Sequence, residues 1–324
     1  MTGNSAAKDK LKIFSGRANK PLAEAIAKAL GVPLGNLNLG NFPDGESSVR
    51  IDEDVRGQDV FIVQPTCPNV NENLMELLII LDAFKRSSPF RITAVIPYYG
   101  YARQDRKDTG RVPISAKLVA DLLTAAGAAR VLCLDLHAAQ IQGFFNIPVD
   151  HLYAVKELTA HVRTWNIPPE ELVVLSTDEG NVKKALHYQR RLGGSIAVVD
   201  KRRSSGEETK AAHLIGAPLA GKIVIVFDDM ISTAGSMVNA VEVARKSNAK
   251  KIYVCATHGV LCGPAVERLR ESPIEQLVIT DSIPLTKEKR EKLPNVAVVS
   301  IAGLLADAIK RIHEDQSVSA MFKD

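Results

Sequence analysis

Short apolar runs alternate with stretches of helical spacing along almost the whole chain. Strands are predicted at 11–14, 59–63, 91–96, 130–135, 172–176, 195–199, 222–227, 251–256, 277–280 and 296–300. Helices are predicted at 21–30, 73–86, 114–126, 154–164, 180–192, 236–248, 263–270 and 301–313. A run such as Lys222-Ile-Val-Ile-Val-Phe227 offers no polar face, as a parallel strand covered on both sides requires. The alternation predicts an α/β protein built from parallel sheets flanked by helices. A faint internal repeat aligns Arg130-Val-Leu-Cys-Leu-Asp-Leu-His137 with Lys251-Ile-Tyr-Val-Cys-Ala-Thr-His258 without gaps. It suggests two similar halves joined near 150–155. The first ten residues lack an apolar segment and read as a flexible tail.

Composition fits this picture. At 324 residues the chain has material for two ordinary cores. It is 46% hydrophobic and 24% charged, with a net charge of +4. The cations are spread along the chain, with clusters at Arg103–Arg111 and Lys201–Arg203. That distribution favours small anionic ligands and excludes the basic stripe of a nucleic-acid binder. Four cysteines show no metal spacing and two sit in apolar runs, as expected of reduced thiols in a cytoplasmic protein. No apolar run reaches membrane-spanning length, so no membrane partner is expected.

In folds of this class ligands gather beyond the C-terminal ends of strands. The most informative exit is Asp228-Asp229-Met-Ile-Ser232-Thr233-Ala234-Gly235-Ser236, between an apolar run and a helical stretch. Small and hydroxyl residues let backbone N–H groups approach an anion, and the following helix adds positive potential. Asp228 and Asp229 would repel a phosphate but suit sugar hydroxyls. The stretch reads as a cradle for a sugar phosphate, because an ordinary capped turn leaves the two acids unexplained. Arg103-Gln104-Asp105 and the cations up to Arg111 follow another strand and suit a mobile polyphosphate clamp; a solvated basic loop is the competing reading. Lys201 and Arg203 repeat that pattern and could neutralise charge on a transferred phosphoryl group. His137 is placed for a metal or a phosphate, Asp178 for a metal, a sugar or a helix cap. Phe42, Asp44 and Glu46 mark a turn whose ring could stack on a nucleobase. Neither a phosphate-binding G-x-x-x-x-G-K-[ST] loop nor a dinucleotide G-x-G-x-x-G is present. Together the exits favour phosphoryl or pyrophosphoryl transfer to a sugar phosphate, with Mg²⁺ bridging polyphosphate oxygens.

From about Lys12 to Phe322 the chain resembles the ribose-phosphate pyrophosphokinases, the phosphoribosyl diphosphate synthetases of the phosphate-dependent class. The resemblance is carried by Phe42-Pro-Asp-Gly-Glu46, Tyr101-Ala-Arg-Gln-Asp105, Pro113-Ile-Ser-Ala-Lys117, Asp135-Leu-His137, Asp200-Lys-Arg-Arg203, Asp228-Asp-Met230 and Ser317-Val-Ser-Ala-Met-Phe322, in order. It implies two phosphoribosyltransferase-type domains, 11–153 joined by 301–322, and 154–300, assembled as a hexamer built from dimers. It implies transfer of the diphosphate of ATP to O1 of ribose 5-phosphate with Mg²⁺. By position, Phe42, Asp44 and Glu46 would hold adenine, Arg103, Gln104 and Asp105 ATP, and His137 and Asp178 the metal. Lys201 and Arg203 would stabilise the transition state, and Asp228, Asp229 and Ser232 to Ser236 would bind ribose 5-phosphate. Arg56, Ser88, Arg91, Ser317 and Ser319 match the family's allosteric anion site. There are departures. Ser232 stands where the family usually has a third acid, Asn181 replaces a glycine, Ala139 replaces a polar residue, and Asp54 replaces a Ser or Asn in the anion site. Ser232 and Asn181 motivate an alternative, a weakly active or inactive regulatory paralogue that binds nucleotide and co-assembles with an active synthetase. A phosphoribosyltransferase acting on a nucleobase fits the cradle but not the Tyr101–Asp105 loop.

Overall fold

The computed structural model describes residues 10–200 and 213–322. Its elements run in chain order as β1 (Leu11–Ser15), α1 (Lys20–Leu30), β2 (Leu37–Asn41), β3 (Ser47–Ile51), β4 (Asp59–Val63), α2 (Val70–Arg86) and β5 (Arg91–Ile96). There follow α3 (Ser115–Ala126), β6 (Arg130–Leu134), β7 (Val149–Leu152), α4 (Val155–Arg163), β8 (Leu172–Ser176), α5 (Val182–Leu192), β9 (Ser195–Asp200) and β10 (His213–Gly216). The chain continues through β11 (Ile223–Ile231), α6 (Gly235–Lys246), β12 (Lys251–Gly259), α7 (Ala265–Glu271), β13 (Gln276–Thr280), α8 (Lys287–Lys292), β14 (Val296–Val299) and α9 (Ala302–His313).

Two compact units share these elements. One runs to Tyr153 and includes Ser282–Pro284 and the chain from Ile301 onward; the other holds Ala154–Asp281 and Leu285–Ser300. The first contains a five-stranded sheet ordered β1-β4-β5-β6-β7, parallel throughout. Its core joins Phe14, Ile62, Leu77, Phe84, Ile96 and Val131, with the Phe14 and Phe84 rings 4.7 Å apart. The second has the order β10-β9-β8-β11-β12-β13-β14, parallel except for β10 on β9. Its core gathers Leu175, Val226, Val254 and Leu277. The α/β class with mainly parallel, helix-flanked sheets is as the alternation predicts.

The helix ends follow from local sequence. In α1, Asn19 Oδ1 accepts from Leu22 N at 3.3 Å, and Gly31 ends the helix in the left-handed region at φ 68°. The helix α9 returns to the first unit, where Leu305, Ile309 and Ile312 are buried. Some elements differ from the expected pattern. The hairpin β2–β3, the strands β7 and β10 and the helix α8 were not predicted. The repeat segments are both strands, but their histidines diverge: His137 is exposed beyond β6, whereas His258 is buried inside β12.

Candidate active site

The sugar-phosphate stretch differs from expectation in one respect. The strand does not stop at Phe227: β11 continues to Ile231, so Asp228 and Asp229 lie within it. The extension has a partner, because β12 also runs on and pairs Asp228 with Ala256, Met230 with His258 and Ile231 with Gly259. On the other flank β8 ends at Ser176, paired with Phe227. Beyond that point Thr177 and Asn181 reach Asp228 of β11.

The two carboxylates are held differently. Asp229 is buried and pairs with Lys184 of α5 at 3.3 Å. Asp228 is half-buried; its Oδ1 accepts from the Asp229 backbone N–H at 2.8 Å and from the Asn181 amide. Its Oδ2 accepts from Thr177 Oγ1 at 3.1 Å, and Asn181 Nδ2 also donates to Thr177 Oγ1 at 3.2 Å. Burial, reinforced by the Asp229 carboxylate alongside, pushes Asp228 up to about 7, against the opposing Asn181 bond. Asp178 Oδ1 accepts from Asn181 N at 3.1 Å and so starts the turn that leads into α5.

After Ile231 the chain turns through Ser232, Thr233 and Ala234 into α6, which begins at Gly235. Ala234 is left-handed at φ 63°, a strained position for a residue with a side chain. No side chain caps α6. The turn that opens the helix carries the exposed Thr233, Gly235 and Ser236, where the first N–H groups lie beyond the reach of the i−4 ladder. The loop is braced from behind, because Arg268 donates to Thr233 O at 2.9 Å and Cys262 N to Ser232 O at 3.0 Å. Ser232 Oγ lies 3.3 Å from the exposed Cys262 thiol.

In the first unit Phe42, Asp44 and Glu46 form the tip of the β2–β3 hairpin. Phe42 N donates to Glu46 O at 2.8 Å, Gly45 turns at φ 94°, and the Phe42 ring is 54% exposed. The loop after β5 is anchored at its base, where Gly100 N donates to Thr66 Oγ1 at 2.6 Å. A Cβ at Gly100 would lie 2.8 Å from that oxygen. Within the loop Arg103 is exposed, Gln104 accepts from Ser115, and Asp105 accepts from Gln140 Nε2 at 2.9 Å. Gln140 belongs to the segment after His137, so the Arg103–Arg111 loop and the His137 loop are tied together. Sequence reading did not anticipate that tie.

Comparison with known proteins decides what this arrangement belongs to. A family model describing the N-terminal domain of ribose phosphate pyrophosphokinase matches residues 11–127, and one for the phosphoribosyl synthetase-associated domain matches 204–323. A ribose-phosphate pyrophosphokinase of Rhodopirellula baltica is 58% identical over 97% of this chain and 99% of its own length. The Thermotoga maritima protein of the same name is 52% identical over 97% and 99%. The crystal structure of a phosphoribosylpyrophosphate synthetase from Mycobacterium smegmatis superposes with a TM-score of 0.88. It is 44% identical and covers 94% of this chain and 99% of its own. This chain belongs to the ribose-phosphate pyrophosphokinase family.

Read as a pyrophosphokinase, the remaining site residues fall as follows. His137 and Asp178 sit in different units, each just beyond a strand end. Lys201 and Arg203 lie outside the described residues. Arg91, matched to the family's anion site, is occupied. It donates to both Asp59 oxygens at 2.9 and 2.6 Å and to Ile312 O at 2.9 Å, and Asp315 lies 3.6 Å away. The hydrogen bonds to Asp59 raise its guanidinium further above the ordinary arginine range. Ser317 and Ser319 share a hydroxyl contact of 2.9 Å and line a cavity of about 360 Å³ with Arg130, Asp150 and Gln316. Ser88 is left-handed at φ 55°, and the exposed Arg56 donates its backbone N–H to Asp54 at 3.0 Å. Asp54, unusual for the family, thus closes its own loop. Two groups that sequence reading missed hold the Asp228–Asp229 pair: Lys184, and Asn181 as a donor to Asp228. The Asn181 signal was visible only as a departure, and its 47-residue separation from Asp228 hid the contact.

Proposed function

We propose that this chain is a ribose-phosphate diphosphokinase, transferring the diphosphate of ATP to O1 of ribose 5-phosphate and releasing AMP. The observation that carries the proposal is the β11–α6 junction. There two anchored carboxylates adjoin an uncapped helix N-terminus on a loop of small residues, a fit for sugar hydroxyls beside a phosphate. In this reading Asp228 and Asp229 accept from ribose hydroxyls, and Ser232, Thr233, Ala234, Gly235 and Ser236 wrap the 5-phosphate. Arg103, Gln104 and Asp105 hold the ATP polyphosphate, and Phe42, Asp44 and Glu46 the adenine. Lys201 and Arg203 meet the charge of the transferred group.

The metal assigned to this reading is Mg²⁺, held by His137 and Asp178. Among the described residues no three His, Cys, Asp or Glu side chains converge as a cage. In this reading each would supply one donor, an imidazole nitrogen and a carboxylate oxygen, to a cation that takes its remaining ligands from substrate phosphates and water. When bound, it would neutralise the polyphosphate oxygens. Anion control through Arg56, Ser88, Arg91, Ser317 and Ser319, a hexamer built from dimers and a cytoplasmic location complete the proposal. Among the described residues no helix is long and apolar enough to cross a membrane.

Phosphorus NMR of the purified protein with ATP, Mg²⁺ and ribose 5-phosphate tests the reaction. AMP and a new diphosphate signal on C1, both dependent on the sugar phosphate, are the expected result. ATP binding without turnover at high protein concentration would overturn it in favour of the regulatory paralogue.

A further inference from the structure

The loop that presents His137 is not stable by its own geometry. Asp135, the first residue after β6, sits at φ 37°, a region that residues with side chains avoid unless the surroundings impose it. The imposition comes from β7. Asp135 N donates to Leu152 O at 2.9 Å, and the next amide, Leu136 N, donates to His151 Nε2 at 2.9 Å. His151 pairs with Cys133 in the β6–β7 register, and its ring reaches past the end of β6 to meet that amide. Both partners are shielded, since Leu136 is 4% and His151 9% exposed. His137, one residue on, is exposed. The imidazole is packed in turn, with the Tyr153 ring 4.4 Å away and Phe322 edge-on to Tyr153 at 5.7 Å.

We propose that His151 is a positioning residue for the pyrophosphoryl transfer, its Nε2 holding the Leu136 amide so that the strained turn presents His137 in one geometry. An acceptor at that place is chemically specific. A buried backbone N–H must have a partner, and an imidazole accepts only on an unprotonated nitrogen, so Nε2 carries no proton. On the other side of the ring Nδ1 lies 3.4 Å from Gln142 Nε2, which also donates to Ala139 O at 2.8 Å. The Tyr153 and Phe322 rings restrict the ways the ring could swing aside. The proposal rests on the reading of His137 as part of the ATP–metal site.

Three variants test it. His151→Gln keeps an acceptor at the reach of Nε2, His151→Asn keeps polarity but falls short of it, and His151→Leu keeps bulk without an acceptor. Steady-state kinetics of the whole protein should show kcat lowered about 10- to 100-fold in His151→Leu and His151→Asn. His151→Gln should stay within about threefold of wild type, and KM for ribose 5-phosphate should hold within about threefold in all. Hydrogen exchange should find the Leu136 amide protected in wild type and His151→Gln and released in the other two. If His151→Leu does not fold, the Gln and Asn pair decides. Wild-type kcat in His151→Asn, or His151→Gln as impaired as His151→Asn, would overturn the proposal. A wild-type protein without turnover would strike the proposed reaction instead, and the exchange comparison would still decide the hydrogen bond.

Discussion

In the proposed reaction we expect Asp228 to set the acid side of the pH profile. Burial and the neighbouring Asp229 carboxylate push its pKa up to about 7, and in the proposed reaction its protonation would make it a weaker acceptor for ribose hydroxyls. We expect kcat/KM for ribose 5-phosphate to rise as pH passes upward through about 7, a dependence that initial-rate measurements from pH 6 to 8 would detect. The stability consequence has the opposite sign. A raised folded pKa favours the folded state while the group is protonated, and that contribution is lost as pH rises from about 4 through about 7. Asp228→Asn should therefore gain more unfolding temperature over wild type at pH 8 than at pH 5, while losing activity. At Ser232 the hydroxyl faces the Cys262 thiol at 3.3 Å, with no carboxylate to meet a ribose hydroxyl. Charged hydrogen bonds contribute about 1.5–3 kcal/mol, so Ser232→Asp should raise kcat/KM for ribose 5-phosphate by about ten- to a hundredfold. A titration in which it stays flat would show that another group already fills that place.

Elements were legible where burial dictated sequence. The apolar runs behind β4, β8 and the first part of β11 marked strands at 59–63, 172–176 and 222–227, whereas the continuation of β11 through Asp228 and Asp229 to Ile231 carries no apolar run. The missed elements lack that signal. The hairpin strands read Leu-Asn-Leu-Gly-Asn and Ser-Ser-Val-Arg-Ile, partly exposed throughout; β10 has four residues; and α8 reads Lys-Glu-Lys-Arg-Glu-Lys, with no apolar stripe to reveal its period. The site was legible as residue types at strand exits. Its supports were not, because Lys184, Asn181 and His151 act through contacts distant in sequence. Elements are also joined by charge. Asp59 at the start of β4 accepts two bonds from Arg91 of β5 and contacts His313 of α9 at 2.8 Å, with both its partners largely shielded. Asp59→Ala leaves Arg91 without its buried counter-ion and should cost about 3–5 kcal/mol, read from denaturant unfolding. Asp82→Ala, which breaks an exposed pair with Arg86, should cost less than about 1 kcal/mol.

At the scale of the molecule, the first unit is not continuous in the chain. Its sheet is finished by Leu152, yet α9, with Ile309 and Ile312 in its core and His313 against Asp59, arrives only after the second unit has been traversed. Truncation after Ser300 should leave the second unit cooperative and the first unstable, visible as loss of protection at β1 and β4 in hydrogen exchange. The same layout imposes an order on synthesis. The ribosome delivers everything up to Tyr153 first, but the segment that closes that unit leaves roughly 150 residues later, a wait of about 7–30 s at 5–20 residues per second. During translation the earlier half is the one left open, the face of α1 that α9 later covers a surface for chaperones, while the later half closes from 154–281 and 285–300, broken only by three residues that belong to the first unit.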